Sequence, residues 1–197
     1  MKCSAVKHWV RTVLWGLAGL LLVSLSGCDS GGGSGEWYTN WDIAGGCASD
    51  QGGNGRASAA GTQVEVCHLV GEYDWIWVTY VAPWCSASRS QAPQVRTFEK
   101  SADSDVAVYT VLTAGNEPFT PATVDHARTW AGSYGLAPGH VLTEEATRII
   151  PQHLLIGPDG RTFYRHVGFL AADEMLRILD DFRHYRRVPD VRSLPDP

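Results

Sequence analysis

Hydrophobic and polar positions fall into a few distinct patterns along the chain. Residues 13–25 (VLWGLAGLLLVSL) are an unbroken apolar block behind Lys2, Lys7, His8 and Arg11. Residues 36–61 are rich in Gly, Ser and Asn, carry Trp37, Tyr38 and Trp41, and hold no sustained period, which predicts an irregular extension pinned by its aromatics. The pattern changes at Thr62. Residues 62–69 alternate, with Val64 and Val66 set against Gln63 and Glu65, and predict a strand. Residues 75–82 are a β-branched and aromatic run suited to a strand buried on both faces. Residues 86–100 predict a helix with Pro93 inside it, and 105–112 (DVAVYTVL) predict another apolar strand. In 120–134, Val124, Ala127, Trp130 and Ala131 recur at helical spacing. Residues 152–156 and 161–167 flank Gly157-Pro158-Asp159-Gly160, a composition that fits a hairpin turn. An amphipathic helix is predicted from 171 to about 185, burying Met175, Leu176, Leu179 and Phe182. The tail, 186–197, has three prolines and no core positions and is expected to be loose.

Strand, helix, strand, helix, hairpin, helix is the order of an α/β sheet with mixed strand directions, since crossovers make parallel neighbours and the hairpin an antiparallel pair. The expected divisions are 1–27, 28–61, 62–185 and 186–197. No internal repeat is visible.

The N-terminal pattern of basic residues, apolar block and small residues reads as a secretory signal, the block being too short for the roughly 20 residues of a spanning helix. Its end, Leu25-Ser26-Gly27-Cys28, resembles the bacterial lipobox at all four positions, which implies cleavage before Cys28 and a lipid anchor on that sulfur. An ordinary signal peptide with an incidental Cys28 is the plainer alternative. Residues 30–35 (SGGGSG) would be a flexible tether, holding the folded domain near a membrane of the bacterial envelope. An extracytoplasmic address allows thiols to oxidise.

Composition narrows the function. The chain has 197 residues, 44% hydrophobic and 19% charged, which suits a globular domain. Without the first 27 residues, which carry three basic residues and no acid, the formal net charge falls from −5 to −8, which argues against a nucleic-acid partner. Five cysteines are too few for a disulfide-dense miniprotein and form no C-x-x-C pair for structural zinc. His68, His126, His140, His153 and His166 stand at no metal spacing with Cys85, so neither a metal nor another cofactor is expected.

The chemistry concentrates in 78–93, VTYVAPWCSASRSQAP. Trp84, Cys85, Arg89 and Pro93 sit at the spacing of W-C-x-x-C-R-x-x-x-P, and this segment resembles the active-site region of the thioredoxin superfamily, in its extracytoplasmic redoxin branch. Ile150-Pro151, directly before the strand at 152–156, is similar to that superfamily's cis-proline, which faces the cysteine. The resemblance covers about residues 62–185 and implies a thioredoxin-like fold, with Cys85 as nucleophile and Trp84, Ile150 and Pro151 lining a groove for a peptide. Independently of the resemblance, a cysteine at the first turn of a helix meets unpaired backbone N–H groups and the positive end of the macrodipole, which favour the nucleophilic thiolate.

Two departures matter. Ser88 stands where the family has its resolving cysteine, and Thr79 stands where it has a buried acid six residues before the nucleophile. A two-cysteine cycle within the motif is therefore excluded. The remaining cysteines, Cys47 and Cys67, are expected to form a structural disulfide; alternatively Cys67, on a predicted strand near the site, resolves Cys85. The function expected is an envelope thiol-disulfide oxidoreductase that attacks protein disulfides through one cysteine, by isomerase-like or deglutathionylation-like chemistry. A thioredoxin scaffold that only binds thiol or disulfide clients is the rival from another class. A thiol peroxidase ranks behind both, because Ala82 occupies the position where the peroxiredoxins have Thr or Ser three residues before their cysteine.

Overall fold

A computed structural model describes Cys47, residues 55–144 and residues 149–185. The signal segment, Cys28, the tether, Trp37, Tyr38, Trp41 and the tail at 186–197 lie outside the described residues. The described elements are β1 (Arg56–Ala57), β2 (Gln63–Val64), a 3-10 turn (Val66–Leu69), β3 (Trp75–Val81), α1 (Ser86–Ser101), β4 (Val106–Leu112), α2 (Val124–Tyr134), a 3-10 turn (Pro138–His140), β5 (Val141–Thr143), β6 (Gln152–Ile156), β7 (Thr162–Val167) and α3 (Ala172–Tyr185).

Five strands make one mixed sheet in the order β5-β4-β3-β6-β7. β4 runs parallel to β3 and to β5, whereas β6 is antiparallel to both β3 and β7. β3 lies at the centre, and all seven of its residues are buried, which is why its sequence is a continuous apolar run. Alternation along the strands divides the core into two layers. Trp75, Trp77 and Val81 of β3 pack with Val95 and Phe98 of α1, Trp130 of α2, and Met175, Ile178 and Phe182 of α3. Ile76, Val78 and Tyr80 face the other way, with Tyr109, Val111 and Val66. The three helices thus share a core with one face of the sheet. This is a thioredoxin-like arrangement of a mixed sheet flanked by helices.

Local chemistry explains the boundaries. α2 starts at Val124, not Thr120, because Thr123 is its N-cap: the Thr123 hydroxyl accepts from the His126 amide, and the His126 ring accepts from the Thr123 amide. Its C-cap, Gly135, has φ 67°, the left-handed conformation that glycine adopts without a Cβ clash. At the β6–β7 hairpin, a Cβ on Gly157 would come within 2.3 Å of the Phe163 ring, so no larger residue fits there without displacing it.

Three expectations are corrected and one strand is added. The alternation at 62–69 forms only the short β2, after which the chain winds into the 3-10 turn, so Cys67 is not on a strand. The supposedly irregular segment contributes β1, paired antiparallel with β2. The edge strand β5 was not signalled by periodicity, being three residues long. In α3 the fully buried positions include Ile178, while Leu176 is only partly buried.

Candidate active site around Cys85

β3 ends at Val81, and Ala82, Pro83 and Trp84 carry the chain over to α1. Cys85 is the N-cap residue of α1, with extended φ −82° and ψ 121°. Its carbonyl already accepts from the Arg89 amide, and its own amide donates to the Ala82 carbonyl at 3.1 Å. Cys85 is half-buried and unpaired, and its side chain makes no capping hydrogen bond. The sulfur therefore stands at the start of α1, beside the N–H groups of its first turn.

Two side chains of the motif hold this turn. Arg89 donates from one guanidinium nitrogen to the carbonyls of Pro83 (2.7 Å) and Trp84 (3.0 Å), clamping the residues just before the sulfur. Ser88 is fully buried, and its Oγ accepts from the Ala82 amide at 3.2 Å. The hydroxyl thus supplies an acceptor to an N–H at the end of the central strand. Removing it would leave a buried donor unpaired. Pro93 is exposed one turn further on. Gln91, buried behind it, donates to the Leu170 carbonyl and accepts from the Leu170 amide, both at 2.8 Å, which fixes α1 to the start of α3.

Thr79 is buried and has a partner that sequence reasoning missed. In register opposite it stands His153 of β6. His153 Nδ1 accepts from the Trp77 indole N–H at 3.3 Å and lies 3.2 Å from Thr79 Oγ1. Since an indole nitrogen can only donate, Nδ1 is an acceptor, so the proton of the neutral ring sits on Nε2. Nε2 is buried without a hydrogen-bond partner among the described residues. Burial, reinforced by the adjacent His166, pushes the His153 pKa down to about 3, with the nearby Gly168 backbone acting the other way. Burial also lowers the pKa of His166, which Glu174 partly offsets. Thr79 thus belongs to a buried, neutral Trp77-Thr79-His153 cluster.

The Ile150–Pro151 peptide bond is cis, and Pro151 is buried at the start of β6. The Gly168 amide donates to the Pro151 carbonyl at 2.9 Å, so the loop after β7 lies against this proline. Gly168 has φ 128°, a conformation closed to most side chains, and the next residue, Phe169, is exposed. Phe169 and Ile149 escaped the sequence reading because both lie in loops, outside any periodic segment.

Cys67 is bonded to Cys47, with an S–S distance of 2.06 Å, the pairing expected of a structural disulfide. The Cys47 amide donates to the Gly160 carbonyl at 2.8 Å, which ties this bridge to the β6–β7 turn. Among the described residues, no group of three or more His, Cys, Asp or Glu side chains is placed to hold a metal ion.

Comparisons with known proteins agree on the fold. No family model matches the chain, and no curated protein matches it. Solved structures do. The exposed lipoprotein thioredoxin Etrx1 of Streptococcus pneumoniae strain TIGR4 is 22% identical, with a TM-score of 0.53 over 64% of this chain and 97% of its own. DsbF from MTB is 18% identical, with a TM-score of 0.54 over 66% and 95%. A thiol:disulfide interchange protein of the thioredoxin family from Chlorobium tepidum TLS is 17% identical, with a TM-score of 0.52 over 64% and 90%. At these identities the likeness is one of fold.

Proposed function

We propose that this chain, built on the thioredoxin-like fold, is a thiol-disulfide oxidoreductase of the bacterial envelope that works through Cys85 alone. The observation that carries the reading is an unpaired, half-buried cysteine at the N-cap of α1, with a buried serine in place of the second thiol. The names of the similar structures, a lipoprotein thioredoxin and a thiol:disulfide interchange protein among them, support the redox chemistry and the location.

The exchange follows from the thiol chemistry. The Cys85 thiolate attacks one sulfur of a client disulfide; a Cys85–client S–S bond forms as the client's own S–S bond breaks, and the leaving sulfur departs as a thiolate that takes a proton from solvent. Ser88 cannot break the adduct, and Cys67 is engaged with Cys47. Release therefore needs an incoming thiolate, from the client or from a small thiol, which bonds to the client sulfur while Cys85 leaves with its electron pair. When that thiol belongs to the client, the net result is isomerisation with no electrons consumed. Cofactors have no part in this cycle.

Anchoring through Cys28 completes the reading, placing the domain on the outer side of a membrane with protein thiols and disulfides as its partners. Cys28→Ala should leave uncleaved precursor and abolish lipid labelling; normal labelling of that variant would overturn the anchor. The catalytic reading is tested by incubating the protein with a scrambled disulfide protein and a small thiol. Regain of native disulfides that Cys85→Ser abolishes supports it, and equal regain with that variant contradicts it.

The rival reading, a client-binding module without turnover, is favoured by one observation. Ser88 Oγ is engaged as an acceptor for the Ala82 amide, and is thereby built into the fold as a serine. Ser88→Cys separates the two readings: faster clearance of mixed disulfides supports the enzyme, and unchanged clearance supports the binder.

A further inference from the structure

Two histidines sit inside the domain with no part in the exchange at Cys85. His153 of β6 is fully buried, and His166 of β7 is 4% exposed. They pair in register across the two strands, with ring centroids 6.3 Å apart. Like charges placed directly opposite in an antiparallel pair are destabilising. The other neighbours do little for a proton. Trp77 and Thr79 of β3 are uncharged, and the Trp77 indole already donates to His153 Nδ1. The Tyr164 ring lies parallel to that of His166 with centroids 6.2 Å apart, and burial pushes its pKa up, so it stays a neutral phenol. α3 brings one acid and one base: Glu174 acts on His166 and Tyr164, and Arg177 acts on Tyr164. The Glu174 carboxylate is engaged by the Ala171 amide at 2.7 Å.

The pair is covered by backbone. A Cβ built on Gly168 would come 3.3 Å from His166 Nε2, so the chain itself lies against that ring. The Gly168 backbone acts on His153 and the Phe169 backbone on His166. The same short loop is seated on two other parts of the molecule. The Gly168 amide donates to the Pro151 carbonyl at 2.9 Å. Gln91 of α1 accepts from the Leu170 amide and donates to the Leu170 carbonyl, both at 2.8 Å. Between these anchors Phe169 is exposed, so water is reached from the imidazoles by way of this loop.

We infer that His153 and His166 form a proton-operated latch on residues 168–170: with both rings neutral the loop is seated on Pro151 and α1, and a proton taken first by His166 unseats it. His166 is the first to charge because it is nearer the surface and has Glu174 beside it. A buried imidazolium without a bonded counter-charge is costly, and lifting the loop brings water to it. That motion breaks the Gly168–Pro151 and Leu170–Gln91 bonds and leaves the sheet in place. The sign follows from linkage. The seated form favours neutral rings, so it is fully populated above the ordinary histidine pKa of about 6.5 and is lost as the pH falls below it. His153, opposite, opposes the first proton and refuses the second. The latch is independent of whether Cys85 turns over or only binds.

The test is hydrogen exchange at single amides of the protein, followed by NMR from pH 7 to 5 and corrected for the intrinsic pH dependence of exchange. Protection of Gly168 and Leu170 should fall below about pH 6.5, by up to about tenfold per pH unit for one proton, while Val108 in β4 keeps its protection. In His166→Gln the protection of Gly168 and Leu170 should be flat over the same range. Protection that does not change with pH in the wild type, an equal fall at Val108, or an equal fall in the variant overturns the inference. Should His166→Gln fail to fold, the wild type decides: the ring-proton shifts of His166 must move over the same pH range as the Gly168 protection, and a separation of the two by more than about one pH unit overturns the latch.

Discussion

Two sulfur sites in this domain are treated in opposite ways. Cys47 and Cys67 are bonded to each other across 20 residues, joining the 3-10 turn to the β6–β7 hairpin region. Cys85 is left unpaired at a helix N-terminus, with Ser88 turned inward as a backbone acceptor. The first arrangement consumes the sulfurs to restrict the unfolded chain; the second keeps one sulfur free and spends its neighbours on holding the turn. What decides the difference is the surroundings, since the residue type is the same.

The comparison is broken most completely by Cys85→Ser, which should abolish mixed-disulfide formation and leave the melting temperature nearly unchanged; mass spectrometry and a thermal melt read the two halves. Cys67→Ser should do the reverse. It should cost about 2–4 kcal/mol in urea unfolding while leaving the alkylation rate of Cys85 intact, provided the free Cys47 is also replaced. If the alkylation rate changes severalfold, the two sites are coupled and the contrast drawn here fails. Ser88→Ala should cost about 1–3 kcal/mol, because the Ala82 amide loses its acceptor, and the amide-exchange protection of Ala82 should fall with it.

The smallest effect is the pH response of the interior behind the motif. His153 binds fewer protons folded than unfolded between its folded pKa of about 3 and the ordinary value near 6.5. Its contribution is therefore fully present above the unfolded value and is lost as the pH falls below it, by at most about 1.4 kcal/mol per pH unit. Unfolding free energies measured from pH 7 to 5 should decline, and His153→Leu should flatten the slope. An unchanged slope would mean that other groups, His166 among them, carry the acid sensitivity.

Much of the fold was legible in the sequence because its central elements announce themselves locally. The run at 75–82 reads as a buried strand because β3 is flanked by strands and covered on both faces. The Gly157–Gly160 turn reads as a hairpin because its residues suit nothing else. Residues 62–69 misled because a hydrophobic alternation two or three residues long cannot be told from a turn that a disulfide and Val66 hold against the core. Of the site, Trp84, Cys85 and Arg89 were visible as a linear spacing. His153 was not, since its link to Trp77 and Thr79 exists only through the β3–β6 register.

The central claim is that Cys85 is the working sulfur while Cys47 and Cys67 are structural. Intact-mass and peptide-mapping mass spectrometry of the protein, after reaction with a peptide disulfide, tests it directly. The account predicts one peptide adduct, on Cys85, released by an added thiol, with the Cys47–Cys67 linkage retained throughout. An adduct on Cys47 or Cys67, or a Cys85 that stays unmodified while the peptide disulfide remains in excess, would contradict it.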